Sequence, residues 1–581
     1  MPRPTPNAGG PRVAVVEKKG RFTVAELLFE RGERVTLGGG PKARPGEMVL
    51  VQPTPGRGGK AKVIRSLGDP AVARDVVEAL TLDRGVRRGF PNKLEAAAGE
   101  AAKSAAGGPE RRDLIELRTF TVDPVTARDF DDAVSAEIEG DGIRLWIHIA
   151  DVAAHVLPGS ALEAEAYRRA TSTYVPGSVE PMLPTALSNE ACSLVPGEVR
   201  LAVTTEIELS GSGDVRGVSF YRSRIRSDAR FSYEQIDDYF AGRKRPPGKV
   251  ADPLALTRRA AAALTERRGQ SGLEVHTTEP DYEWDGGDVV AAVDVMETEA
   301  HKLIEMLMIL TNEQVAQLLE RKKVPALYRV HEPPDPEAIE SLVEKLAALG
   351  VPSPALPKQI SPKQASALAA DVSRLAAAEA RRRGHGREAY TSLVLRSMKQ
   401  AHYADRNLGH AGLASPAYCH FTSPIRRYPD LVCHRGLLSA TGGGEKAARS
   451  EKLSEAGSYC SDREREAMKL ERAADDICAA FLLERERLEA GPGAVFEGEV
   501  AGLVGAGAFI RFGGKLATIY EGFLPARRIG GRERYELDAT ETALVGGTSG
   551  GRLRLGDPVK VLVDKVEAPR GRVDLLPADK N

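Results

Sequence analysis

Asp123-Pro124-Val125-Thr126-Ala127-Arg128-Asp129-Phe130-Asp131-Asp132-Ala133 packs four carboxylates into ten positions. Like charges this close are unfavourable unless something positive sits among them. Oxygen donors of this kind suit hard cations such as magnesium, manganese or calcium. A solvated acidic loop is the plain alternative. It is weakened by the strand-like run Leu114–Val122 that leads in, and by Phe130 standing among the acids. An EF-hand calcium loop is excluded. Counted from Asp123 its sixth and twelfth positions are Arg128 and Val134, and counted from Asp129 they are Val134 and Gly140, where Gly and Glu are required. What remains is a carboxylate-rich metal site for phosphoryl transfer, in which two ions about 4 Å apart activate a water and stabilise the leaving oxygen.

Phosphodiester hydrolysis also needs positive charge at the transition state. The segment His420-Phe421-Thr422-Ser423-Pro424-Ile425-Arg426-Arg427-Tyr428-Pro429-Asp430 offers it, far along the chain. Adjacent arginines in a Pro-bounded loop are suited to gripping phosphate oxygens bidentately. Taken alone, the pair reads more readily as partners in surface salt bridges.

The chain has 581 residues, too many for one hydrophobic core, so several domains are expected. Its 81 Lys and Arg against 82 Asp and Glu leave a net charge of −1, which by itself points to neither nucleic acid nor membrane. The distribution is less neutral, because residues 1–70 hold 13 basic and 6 acidic side chains. A local basic surplus of that kind is a nucleic-acid footprint or simply a solvated face. No apolar run reaches the roughly 18 residues of a membrane span, and Met1–Arg12 lacks the apolar core of a secretion signal. Five scattered cysteines form no Cys-x-x-Cys pair, against zinc-ribbon or thioredoxin chemistry, and suit a reducing cytoplasm.

Residues 1–11 are expected to be a flexible N-terminus. Residues 12–70 read as short strands (Arg12–Val16, Gly20–Leu28, Met48–Gln52) broken by Gly/Pro clusters, the pattern of a small barrel. Residues 71–112 read as a helical linker, or as part of a degenerate second barrel. A mixed body, 113–490, follows. It has strand candidates Leu114–Val122 and Gly142–Val152, a hairpin Val199–Leu209 with Val215–Ser223, helices Thr298–Arg321 and Tyr390–Tyr403, and a long helix Lys452–Glu489 stopped by Gly491-Pro492. Residues 494–577 return to short strands with balanced charge. The fold class is therefore a multidomain α+β protein, a central body flanked by small β-barrels.

The acidic segment and the run Thr422–Leu431 together resemble the ribonuclease II/ribonuclease R family, exoribonucleases with an RNB catalytic domain. Asp123–Ala133 is similar to the family's metal motif throughout. Trp146–Val152, Tyr174-Val175-Pro176, Pro181–Pro184, Leu187-Ser188-Asn189, Leu395–Gln400 and Gly409-His410 fall in the same order between the two hallmarks. The resemblance runs over essentially 12–577. It implies a cold-shock-type OB barrel over 12–70, an RNB domain over 113–490 and an S1-type OB barrel over 494–577. The activity it implies is 3′-5′ exonucleolytic hydrolysis of single-stranded RNA, processive, releasing nucleoside 5′-monophosphates by a two-metal-ion mechanism.

By the same resemblance, Asp123, Asp129, Asp131 and Asp132 hold two Mg2+ ions, with Mn2+ as the substitute. Asp131, Asp132 and Arg426 are the catalytic set: Asp131 is the acid without which cleavage fails while RNA still binds, and Arg426 neutralises the transition state. Arg427 is closer to positioning. Tyr174 stacks on the 3′-terminal nucleotide. Glu305 stands where family members carry two glutamates, and His276 where they often place a clamping Phe. Phe496, Phe509 and Phe512 are the base-stacking candidates of the C-terminal barrel, with barrel core as the equal alternative for each. His148 reads as structural rather than as a ligand. The partner implied is single-stranded RNA, with no membrane and no obligatory protein partner, for a cytoplasmic monomer. Larger ribonuclease R proteins carry two cold-shock barrels and a Lys-rich tail, whereas this chain shows one N-terminal barrel and ends Ala578-Asp579-Lys580-Asn581. The competing function is a catalytically inactive RNB-type RNA-binding regulator.

Overall fold

Alternating apolar residues close two five-stranded barrels, one at each end of the chain. The structure, a computed structural model, describes residues 10–578 except 20–21, 31, 55–58, 105–109, 270–271, 274–278, 492, 518–519 and 532. Most of the expected flexible N-terminus, and His276, thus lie outside the described residues. The N-terminal barrel orders its strands Arg12–Lys19, Phe22–Leu27, Arg34–Leu37, Lys60–Gly68, Met48–Pro53. The C-terminal barrel orders Val495–Val504, Gly507–Phe512, Tyr520–Pro525, Arg572–Pro577, Pro558–Glu567. Both are therefore connected 1-2-3-5-4, closed by a parallel contact between the third and fifth strands. This is the five-stranded Greek-key barrel topology of OB folds. Strands Arg34–Leu37 and Lys60–Gly68 add to those expected from the sequence; each alternates over only a few residues between Gly- and Pro-rich connections.

The sequence between the first barrel and the body is helical, Ala73–Asp83 and Asn92–Ser104, so the second-barrel alternative for 71–112 fails among the described residues. The expected strand Leu114–Val122 is two strands. Arg112–Leu114 pairs with Val215–Arg226, and Phe120–Val122 pairs with Ala229–Phe231, near opposite ends of a seven-stranded sheet. A flat sheet would hold these two strands about 24 Å apart, five spacings of roughly 4.8 Å. The links Ile115–Thr119 and Ser227–Asp228 are each too short for that span to be comfortable, at about 3.5 Å per residue at most, so the sheet curls on itself. Its middle is antiparallel, Asp132–Glu139, Gly142–Ala150 and Val199–Leu209. His148 is fully buried in that middle, between Ser135 Oγ (3.2 Å) and Thr204 Oγ1 (2.9 Å). Burial holds its imidazole far below the usual range, at about 3, so it serves as a neutral link in a polar chain through the sheet.

The helix expected over Tyr390–Tyr403 stops at Ser397. His402–Ala404 instead pairs as a strand with Tyr328–Val330, a tertiary contact that overrides local helix propensity. The long helix, Ser450–Ala490, has 41 residues and so runs about 60 Å. One core joins it to the helix Ala73–Asp83 and to the C-terminal barrel. The barrels themselves meet through Arg570, whose Nε donates to Leu28 O (2.8 Å) and whose Nη2 pairs with Glu26 (2.6 Å).

Candidate active site

The curled sheet delivers the acidic loop between two of its strands. Phe120–Val122 ends at Asp123, and the next strand begins at Asp132. The loop between them is pinned at several points. Asp123 N–H donates to Phe231 O (3.0 Å), and Ala127 N–H closes a turn onto Pro124 O (3.0 Å). Phe130, buried, donates its N–H to Ser193 Oγ (3.0 Å), while Ser193 Oγ donates in turn to Arg128 O (2.8 Å). Phe130 thus anchors the loop in the core.

The arginine loop closes over these acids. Ile425 N–H donates to Asp131 Oδ1 at 2.9 Å, a contact between residues 294 apart in the chain, and Arg426 Nε reaches Asp131 Oδ2 at 3.3 Å. Arg426 Nη2 also donates to Ser423 Oγ (2.9 Å), and 43% of its side chain remains open to solvent. Arg427 does something different. Its guanidinium donates twice to Asp430 (2.9 and 2.8 Å), and Asp430 is fully buried. Arg427, expected to act by positioning, has its fork occupied by Asp430 and holds the start of the helix Tyr428–Thr441.

Burial is the largest influence on three of the four acids and raises Asp123, Asp131 and Asp132 above the ordinary carboxylate range. Mutual repulsion adds to it: Asp131 and Asp129 act on Asp123, Asp123 acts on Asp132, and Arg426 eases both Asp131 and Asp132. Oδ2 of Asp123 is buried without a hydrogen-bond partner. An orphaned carboxylate oxygen among desolvated acids fits a hard cation. Among the described residues, however, no group of three or more His, Cys, Asp or Glu stands in a geometry that would hold an ion by itself. The donors fit an ion that completes its shell with water and substrate oxygens, the usual habit of magnesium, rather than a closed four-aspartate cage.

Tyr174 lies on the short strand Thr173–Val175, partly exposed, with its hydroxyl donating to Asp129 Oδ2 (3.3 Å) and its N–H donating to Glu471 of the long helix (2.8 Å). Glu305 sits on the helix Glu299–Arg321, where Lys302 pairs with it at 2.7 Å. In the C-terminal barrel the three phenylalanines separate. Phe496 and Phe512 are 7% and 3% exposed, packed on each other (centroids 5.4 Å apart), and Phe512 also packs on Tyr520. As candidates for base stacking, Phe496 and Phe512 are corrected to barrel core. Phe509 is 38% exposed and sits beside Phe523, so it alone presents a ring to the outside.

One residue absent from the sequence-based set stands at the site. Tyr233 opens the helix Tyr233–Phe240, and its phenol lies within electrostatic reach of Asp132, Asp123 and Arg426; burial, first, and the two acids hold its proton on. It arrives there because Ala229–Phe231 pairs in parallel with the strand that precedes Asp123. That pairing is long-range, and no local signal marks it.

The RNB domain family matches residues 111–442, and the S1 RNA binding domain family matches 489–576. Ribonuclease R of Aquifex aeolicus is 35% identical over 551 residues, covering 92% of this chain and 75% of that protein. Ribonuclease R of Escherichia coli is 34% identical over 562 residues, covering 92% and 66%. Among solved structures, Mycoplasma genitalium RNase R in complex with ribose methylated single-stranded RNA matches with a TM-score of 0.85 at 24% identity, over 98% of this chain and 90% of that one. This last likeness is one of fold.

Proposed function

The chain belongs to the ribonuclease R family of RNB-domain exoribonucleases, and on that footing we propose that it hydrolyses single-stranded RNA processively from the 3′ end to nucleoside 5′-monophosphates. The observation that carries this reading is the grip of the Ile425–Arg426 loop on Asp131, which sets a half-free guanidinium against a cluster of desolvated acids. That is the pairing that displacement at phosphorus requires: acids to gather cations and a nucleophile, and an arginine to meet the charge that develops.

Asp123, Asp129, Asp131 and Asp132 are the residues that would hold two Mg2+ ions. Bound there, such ions supply an activated water and neutralise the leaving oxygen. The protein's own parts are distinct from that chemistry. Asp131 is held in a fixed orientation by the Ile425 N–H, so its second oxygen is presented without reorganisation. Arg426 is close enough to Asp131 to be aligned by it, and open enough to reach a non-bridging phosphate oxygen. Tyr174, set beside Asp129, offers a ring face to the terminal nucleotide. Phe509 offers another to the strand farther out. The proposed setting is a cytoplasmic monomer with RNA as its partner; no described helix is long and apolar enough to cross a membrane.

The test is digestion of 3′-tailed single-stranded RNA with magnesium, beside circular RNA and a 3′-overhang duplex. Mononucleotide release from the linear strand, with the circle intact, is expected. Asp131→Asn is expected to abolish release while RNA binding persists. Tight binding without any release by the parent protein would leave it an RNA-binding regulator, a reading that the presence of all four acids and Arg426 disfavours.

A further inference from the structure

Tyr233 does not stand alone at the edge of the acids. Its helix is started by a capping box in which the Gln235 N–H donates to Ser232 Oγ (3.3 Å) and the Ser232 N–H donates to the Gln235 side chain (2.9 Å). The ring of His301 lies flat on the Tyr233 ring, centroids 3.8 Å apart and planes within 12°. His301 is itself fixed. It is the third residue of the helix Glu299–Arg321, where its Nδ1 accepts the Thr298 N–H (3.3 Å) and pairs with Thr298 Oγ1 (2.8 Å). Because Nδ1 accepts a backbone N–H, the neutral ring keeps its proton on Nε2. The two helix starts are lashed a second time by the Ala300 N–H, which donates to Asp237 Oδ1 (3.1 Å).

This arrangement fixes a direction. The phenol oxygen of a tyrosine lies on the χ2 axis, so its position is set by χ1, which has discrete staggered wells. A parallel imidazole at stacking distance closes off a χ1 swing towards it: the phenol cannot move that way without colliding with it. We propose that His301 is a positioning residue for hydrolysis, which, by stacking on Tyr233, holds the Tyr233 phenol on the side of the acids, two residues beyond Phe231, whose carbonyl accepts the Asp123 N–H (3.0 Å). Among the described residues the hydrogen bonds and ring contact of His301 go to Thr298 and Tyr233, so its influence on the reaction passes through Tyr233. The inference rests on the hydrolytic reading of that site. It goes beyond it by assigning a function to a residue of a different helix.

A side chain that sets geometry from behind acts on turnover more than on substrate affinity. A displacement of about 1 Å at a reacting group can cost on the order of 100-fold. His301→Ala is therefore expected to lower kcat about 10–100-fold on single-stranded RNA with magnesium, with KM within about threefold. Two further variants separate stacking from capping. His301→Phe keeps a flat ring and gives up the Nδ1 acceptor; it should recover most of the lost kcat. His301→Gln keeps a capping acceptor, which is favoured at this helix position, and gives up the ring; it should stay slow. In a Tyr233→Phe background, His301→Ala should cost little further, because the hydroxyl it aims is already gone. Thermal melting of each variant identifies any that fail to fold, and the Phe and Gln variants carry the comparison if the Ala variant does. Recovery by Gln but not by Phe, independent losses in the double variant, or His301→Ala turning over at the parent rate would each overturn the proposal. A parent protein that releases no mononucleotide overturns the hydrolytic reading itself, which is a separate result.

Discussion

Arg426 and Arg427 are neighbours in sequence with opposite environments, and replacing each by alanine should damage the protein in opposite ways. Arg427 donates twice to Asp430, a carboxylate with no exposure, whose Oδ1 also accepts the Ser423 N–H (2.8 Å). Arg427→Ala leaves that carboxylate buried with one neutral donor. Breaking a buried pair from one side costs about 3–5 kcal/mol, against about 5–15 kcal/mol for a whole domain. Arg426 has a half-open side chain, one contact to Asp131 at 3.3 Å and one to Ser423. If it is removed, Asp131 keeps the Ile425 N–H, and the stability cost should be under about 1 kcal/mol, as for other exposed pairs. The rate should fall about 10²–10³-fold, equivalent to about 2.7–4 kcal/mol of transition-state stabilisation. Guanidinium denaturation followed by tryptophan fluorescence reads the first effect, and mononucleotide release at saturating single-stranded RNA reads the second. Wild-type stability in Arg427→Ala combined with a tenfold loss of RNA affinity would refute the assignment of Arg427 as a strut. A destabilised but fully active Arg426→Ala would refute the other half.

The two aromatic environments of the C-terminal barrel predict a similar split: Phe512→Ala should cost about 3–5 kcal/mol in stability, whereas Phe509→Ala should leave melting unchanged and weaken single-stranded RNA binding by about 1–3 kcal/mol, as read by fluorescence anisotropy. Tyr174→Ala should leave a longer final fragment on a sequencing gel, and an unchanged end product would remove Tyr174 from the terminal-nucleotide site. Asp123, Asp131 and Asp132 are all raised, chiefly by burial. The metal-free folded chain therefore holds protons that the unfolded chain has released, and its stability should fall as pH rises from the ordinary carboxylate range through neutrality. Magnesium binds the charged forms and offsets this. The rise in melting temperature it produces should be larger at pH 8 than at pH 5, and an equal or reversed effect would count against these acids as its ligands.

Much of the site was legible because its chemistry is contiguous. Four acids within ten residues and two arginines between prolines are visible without any structure. Legibility ended where a residue's availability depends on a partner. Arg426 and Arg427 are the same residue type in the same loop. Only Asp430, three residues on in the first turn of the helix that Tyr428 opens, distinguishes them, and it does so by occupying one fork. That spacing was readable in principle, as a cap-to-first-turn pair. The phenylalanines carry the same lesson in strand form. Ala508, Ile510 and Phe512 share one face of Gly507–Phe512 by simple alternation and point inward, which leaves Phe509 on the other face. Aromatic character alone could not separate them; the period of two could. Tyr233 is different, because its place beside the acids depends on the parallel pairing of Ala229–Phe231 with Phe120–Val122 across a sheet that had first to curl. Residue identity names the groups able to do chemistry, local periodicity decides which of them face outward, and only the long-range pairing of strands brings in a group such as Tyr233.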